Sequence, residues 1–387
     1  MKFRIEDVAA YKKIIAAICS IPAVRKQLNG VEQCIELSVD ADKGELSVST
    51  VDLTSHSITL KFPVEVLEEG RQVVLSNKIK GMTNKLNPKY GLVVSNEDNL
   101  LNYTAKPFGT IVDDQYFSQE SELSKELITD PDWKDVTPEL GFFMNLIPMA
   151  CSCTYNDREI YISTDVGMIK MYVQITETSY VRYTSTTETL ATISDFRASI
   201  RPPLLKILQM LGEDVDLQYC PERNLVKFSS ELGTVVVNAD TSKNKVALKV
   251  DSIIEQEDDA HVEVPLEDIS ESLKFQSYNT SETDLVELEY KTEEEVFTLK
   301  TNELNEPSQL VVDFSGEFTK TMSSVGHLTK ALKSIGSPKN KVLPVEVIKI
   351  CLKSIPVKNA QPIKAIHICP ETEFDVTSDI VMYEASC

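Results

Sequence analysis

A segment near the middle of the chain, Ser199-Ile-Arg-Pro-Pro-Leu-Leu-Lys-Ile-Leu-Gln-Met-Leu211, recurs in altered form on both sides of itself, and this repetition limits the fold more than any other feature. A short apolar run leads into a helix start, where Pro202 and Pro203 suit the first turn because a missing N–H costs nothing there. Leu204, Ile207, Leu208 and Leu211 then fall at helical spacing and predict one buried stripe. The first echo is Val73–Leu86, with Ser76 as N-cap; the second is Lys341–Ile355, with Pro344 at the helix start. What surrounds the copies repeats too. Polar turns at Asn96–Asn99, Pro221–Asn224 and Pro370–Glu373 each separate two short strand-like runs. Strands ending in Thr and an Asp or Asn recur at Leu46–Asp52, Ile160–Asp165 and Phe297–Asn302. Three copies predict three related domains, each reading as helix, strands, helix, strands, which is an α+β layer arrangement of two helices on antiparallel sheets.

The predicted boundaries follow from composition. Residues 1–112 form the first domain and 113–138 an acidic connector, into which Trp133 brings a docking side chain. Residues 139–250 form the second domain, and 251–260 a second acidic connector within a charge-mixed stretch, 240–260. Residues 261–387 form the third domain, with a lysine-rich insertion at 315–340 carrying one helix near 327–335. No apolar run reaches the roughly 18 residues that a membrane span needs. The eight cysteines show no pairing framework and read as reduced thiols in a cytosolic protein.

The formal net charge of −21 would by itself argue against a nucleic-acid partner. The charge is segregated, however. Residues 251–303 hold seventeen acids against three lysines, whereas 319–365 hold nine lysines and one acid. Residues 75–89 and 197–211 hold Lys78, Lys80, Lys85, Lys89, Arg197, Arg201 and Lys206 with no acid at all. The repeated helices are basic islands in an acidic chain. The first helix, near Glu6–Cys19, sets Lys12 and Lys13 among small alanines opposite its apolar face, a surface able to approach something anionic or simply to stay solvated.

No catalytic constellation emerges. The chain has no glycine loop for phosphates, no His-Glu-x-x-His and no Gly-x-Ser-x-Gly. Cys151-x-Cys153 is the nearest thing to a metal motif, without a second Cys/His pair at zinc spacing. His56, His261, His327 and His367 belong to no recognisable triad, and sequence alone does not show which of them converge. The chain therefore reads as a non-enzyme without a cofactor or metal.

Three domains of this kind resemble the bacterial β sliding clamp, the processivity factor of DNA polymerase. The opening Met-Lys-Phe before a helix, Leu46–Leu53 ending in Thr-Val-Asp-Leu, Ser163–Ile169 and the terminal Ile380-Val-Met382 carry the likeness. The family's His-Arg in the second domain is replaced by Gly167-Met168, and 315–340 is extra, which suggests a divergent member with a phage among its candidate sources. The resemblance implies a ring of two head-to-tail subunits around duplex DNA, held by sequence-independent phosphate contacts. Lys12, Lys13, Lys78, Lys80, Lys85, Arg197, Arg201, Lys206, Lys349 and Lys353 are the expected lining cations. It also implies that the polymerase and the clamp loader dock short peptides in an apolar pocket made by Val166, Gly167, Met168, Ile169, Ile380, Val381 and Met382; the alternative is that these are ordinary strand core. The alternative function is a clamp-fold adaptor for transcription or repair proteins.

Overall fold

In the computed structural model the described residues are 1–21, 34–52, 56–97, 100–105, 109–113, 132–137, 160–165, 168–186, 197–200, 202–212, 214–240, 245–278, 280–301, 306–316, 320–340, 343–357, 361–371 and 376–383. They divide into two compact units, residues 1–144 with 203–239 and residues 145–202 with 240–387. The middle sequence repeat thus contributes to both. Among the described residues no helix is long and apolar enough to cross a membrane.

The first unit opens with β1 (Lys2–Ile5), α1 (Val8–Ile18), β2 (Cys34–Asp40), β3 (Glu45–Asp52), β4 (His56–Pro63), β5 (Glu65–Glu68), β6 (Gly70–Leu75) and α2 (Ser76–Asn84). It continues with β7 (Leu92–Glu97), β8 (Leu100–Ala105), β9 (Gly109–Asp113) and β10 (Lys134–Thr137). The second unit takes up β11 (Ile160–Asp165), β12 (Met168–Gln174), β13 (Ser179–Thr186) and β14 (Arg197–Ile200). The chain then returns to the first unit with α3 (Pro202–Met210), β15 (Asp216–Cys220), β16 (Leu225–Ser230) and β17 (Gly233–Asp240). The rest lies in the second unit: α4 (Lys245–Ile254), β18 (Ala260–Pro265), α5 (Leu266–Gln276), β19 (Leu285–Lys291), β20 (Val296–Lys300), β21 (Ser308–Val311), β22 (Asp313–Gly316), β23 (Thr321–Ser324), α6 (Val325–Ile335), β24 (Val347–Ile355), β25 (Ile363–Pro370) and β26 (Val376–Tyr383).

Every described strand pairing is antiparallel. In the first unit one sheet runs β5-β1-β7-β8-β9. The other runs β10-β15-β16-β17-β4-β3-β2-β6, so the first and second sequence repeats share one sheet through the β17–β4 ladder. That ladder requires a glycine. Gly233 starts β17 at φ +154°, and a Cβ there would lie 2.3 Å from the Thr59 carbonyl oxygen. In the second unit the large sheet runs β14-β11-β12-β13-β26-β25-β24-β18-β22 and the small one β21-β20-β19-β23. The second and third repeats share the large sheet through β13–β26.

Alternating burial explains the strands, and 3.6-residue periodicity the helices. Along α1 the buried Val8, Tyr11, Ile14, Ile15 and Ile18 form one stripe, and Asp7 caps its start by accepting from the Ala10 N–H at 2.9 Å. The turn between β15 and β16 places Asn224 in the left-handed region at φ 52°, which its short polar side chain tolerates. Trp133 docks as expected: it packs on Cys220, Leu225 and Val236, with the Lys227 ammonium 4.6 Å from its ring centroid.

Three expectations change. Residues 347–355 are a strand, β24, not the third repeat helix. Its β-branched Val347, Ile348, Ile350 and Ile355 favour a pleated backbone, and its burial on both faces imitated a helical stripe. The true third copy is α6, whose core stripe is Val325, Leu328, Ala331, Leu332 and Ile335, inside the stretch read as an insertion. Helix starts at Ser76, Pro202 and Val325 give intervals of 126 and 123 residues. Within 240–260, Lys245–Ile254 forms α4, because Ala247, Val250 and Ile253 find an apolar face to cover. The start of the predicted second domain, with Cys151 and Cys153, lies outside the described residues.

Candidate nucleic-acid interface and partner pocket

Cations on the first unit's helices stand where burial leaves them. Helix α1 packs on α2, which buries Ile79 and Met82 and turns the hydroxyl of Thr83 back onto the Ile79 carbonyl. That leaves Lys13, Lys80 and Lys85 exposed and Lys78 half-exposed. Helix α3 buries Leu204, Leu205, Ile207 and Leu208 and exposes Lys206. None of these three helices contains an acid. Exposed ammonium groups without neighbouring carboxylates on their own helix are free to displace counterions from a polyanion.

Lys12 is different. Its Nζ donates to the Asn84 and Leu86 carbonyls at 3.2 and 2.8 Å, capping the C-terminus of α2. Lys353 does the same for α4. Sitting on β24 and 3% exposed, it donates to the Ile254 and Gln256 carbonyls and pairs with Asp258 at 3.1 Å. It cannot line a DNA channel as a free cation, because the strand directs it into the sheet face beneath the helix end. Lys349, on the same strand, pairs with Asp258 at 3.4 Å and is half-buried. Arg197 lies on β14 rather than on a helix; its side chain and all of Arg201 lie outside the described residues.

The sequence places a helix near 327–335 but in an insertion, whereas it is the third repeat's basic helix. Lys330 and Lys333 are exposed on α6, which packs against α5. The signal was present in the nine lysines of 319–365, but they were assigned to the wrong segment. Helix α5 does not share the pattern: Glu267, Asp268 and Glu271 are exposed beside Lys274.

Of the expected pocket residues, Val166 and Gly167 lie outside the described residues. Met168 is half-exposed, while Ile169, Ile380, Val381 and Met382 are at most 1% exposed. Strand β13 separates the two groups: Ser185 pairs with Ile169 on one side and Val376 on the other, whereas Val181 faces Ile380. Ile169 and Ile380 are therefore one intervening strand and about 13 Å of strand length apart. Val381 belongs to a core cluster in which Tyr172, Ala365 and α4's Ala247, Val250 and Ile253 meet.

Beside that cluster runs a charged network. Arg182 bonds Asp251 at 3.0 Å and Asp379 at 2.8 Å, Tyr172 donates to Asp251 at 2.8 Å, and His367 meets Asp379 at 3.0 Å. Burial pushes the Asp379 carboxyl up, but the His367 hydrogen bond and the Arg182 charge outweigh it and hold Asp379 below the usual range.

Six described helices on antiparallel sheets shared between successive repeats match the three-domain clamp fold. Over its whole length the chain matches solved bacterial sliding clamps. It covers 100% of the Caulobacter crescentus DNA polymerase sliding clamp at a TM-score of 0.69 and 14% identity, with 100% of its own length matched. For the Bacillus subtilis sliding clamp the TM-score is 0.71 and identity 13%, covering 100% of this chain and 99% of that one. For the Pseudomonas aeruginosa DNA polymerase III β subunit bound to griselimycin the values are 0.69 and 13%, with 100% of both chains covered. No protein-family model matches the sequence, and no curated protein does. The likeness is one of fold.

Proposed function

We propose that this protein is a sliding clamp: two copies close head to tail around duplex DNA and tether a replicative polymerase, with no catalysis of their own. The observation that carries this reading is the full-length clamp fold together with cations exposed on acid-free helices in a chain of net charge −21. Lys13, Lys80, Lys85, Lys206, Lys330 and Lys333 supply phosphate contacts, aided by Lys78 and, from their sequence positions, Arg197 and Arg201. Such contacts carry no sequence information, as sliding requires. The acidic remainder discourages DNA from binding elsewhere. Polymerase and loader peptides dock near Met168, the one described pocket residue that reaches the surface. The cytosol of a bacterium, or of a phage-infected one, is the compartment this role demands.

Ring closure is assigned to the edge strand β21. Val311 on it is 87% exposed, and Phe275 and Tyr278, at the end of the helix packed against it, are 77% and 78% exposed. A strand edge that is unpaired among the described residues, beside exposed apolar side chains, suits a second copy of the chain.

Light scattering over a dilution series tests the assembly. A particle of twice the 43.3 kDa chain mass is expected, and a monomer throughout overturns the self-closing ring. Retention on a nicked circular plasmid that disappears when the plasmid is linearised then tests encirclement; equal retention on both overturns it.

A further inference from the structure

Three side chains that no sequence motif joins meet on one face of the second unit's large sheet. Cys351 lies on β24, and His367 and Cys369 lie on β25, where the register pairs Cys351 with His367 and Lys349 with Cys369. Pleat alternation sends all three to the same face. The two Sγ atoms and one ring nitrogen of His367 lie within 4.8 Å of one another. Cys351 is 1% exposed, His367 6%, and Cys369 half-buried.

The histidine is held as a ligand would be. Its Nε2 lies 3.0 Å from the Asp379 Oδ1, a carboxylate oxygen, to which the Nε2–H donates. Arg182 fixes the other carboxylate oxygen at 2.8 Å. This tautomer leaves a lone pair on Nδ1, which is buried and has no hydrogen-bond partner among the described residues. A bare buried nitrogen beside two thiols calls for an explanation. A carboxylate on one imidazole nitrogen is the usual outer support for a metal on the other.

We infer that Cys351, Cys369 and His367 form a zinc site, with the two thiolate sulfurs and Nδ1 as ligands. Two thiolates and an imidazole match the donor preference of zinc, and tetrahedral coordination at about 2.3 Å needs sulfurs about 3.8 Å apart, which is compatible with ligand atoms that all lie within 4.8 Å of one another. Each thiol gives up its proton to solvent on binding, so the loaded centre is neutral. It adds no net charge to a face where Lys349 and Lys353 both pair with Asp258. A disulfide fits less well: the cysteines are diagonal on neighbouring strands, where α-carbons stand about 7–8 Å apart, beyond ordinary disulfide reach.

The test uses the full-length protein, purified reduced and without chelator. Elemental analysis is expected to find about one zinc per chain. After stripping, anaerobic titration with Co²⁺ is expected to give thiolate-to-cobalt charge transfer and the visible bands of a tetrahedral centre. Zinc is expected to raise the Tm of the stripped protein. Cys369→Ser and His367→Gln are expected to lose the cobalt spectrum. The inference is overturned if the wild-type protein binds neither metal stoichiometrically. It is also overturned if both variants keep the spectrum, or if peptide mapping of fresh protein finds Cys351 and Cys369 bonded to each other. The wild-type spectrum reports thiolate ligation by itself, so a variant that fails to fold leaves the inference testable.

Discussion

Lys353 and Lys13 show how little a lysine's presence on a basic stretch says about its task. Lys353 neutralises the C-terminal carbonyls of α4 and answers Asp258, so Lys353→Met strands buried acceptors. A loss of about 3 kcal/mol in urea unfolding is expected, with DNA affinity of the surviving folded protein unchanged. Lys13→Ala is expected to do the opposite: no measurable change in stability, and weaker DNA binding. Asp379 adds a pH signature. Its carboxyl binds a proton less readily folded than unfolded, so its contribution is complete above the unfolded pKa of about 3.9. It fades as the pH falls through the lower folded value. Asp379→Asn is thus expected to cost about 3 kcal/mol at pH 7, and the gap to wild type should narrow in urea melts at pH 3.

At the level of elements, α1 and α2 act as one basic surface. The triple variant Lys13→Ala, Lys80→Ala, Lys85→Ala is expected to keep its far-UV circular dichroism, while the slope of log K against log salt falls by about 0.9 for each phosphate that the protein no longer neutralises. Most elements were legible in the sequence because one face of each is buried: α1, α2 and α3 sit within two residues of their predicted limits. The failures share a cause. Strand β24 is buried on both faces, so period-2 alternation vanished and Ile348, Cys351 and Leu352 mimicked a helical stripe. That exchange hid the identity of α6 as the third repeat helix and, with it, the place of Lys330 and Lys333 in the basic pattern. Helix α4 was masked by its charged neighbours. The lysines on the early helices were legible because charge segregation survives in composition. The Cys351–His367–Cys369 cluster was not, because it depends on register between two strands, which spacing along the chain does not reveal.

For the molecule as a whole, the proposed ring closes through an apolar edge. Phe275→Asp with Val311→Lys is expected to yield monomers by light scattering without loss of thermal cooperativity, and to abolish retention on circular DNA. Within the chain, successive repeats are joined differently, by the β17–β4 and β13–β26 ladders, which are main-chain hydrogen bonds. Main-chain bonds are indifferent to which side chains the strands carry. Mutation can therefore replace nearly every residue along these seams, so long as alternation of apolar and polar faces survives, and the architecture persists after sequence resemblance has worn away. Gly233 is the exception, since any side chain there meets the Thr59 carbonyl. Divergence is cheap at the joints and free at the surfaces, which lets such a protein follow changing partners without rebuilding itself.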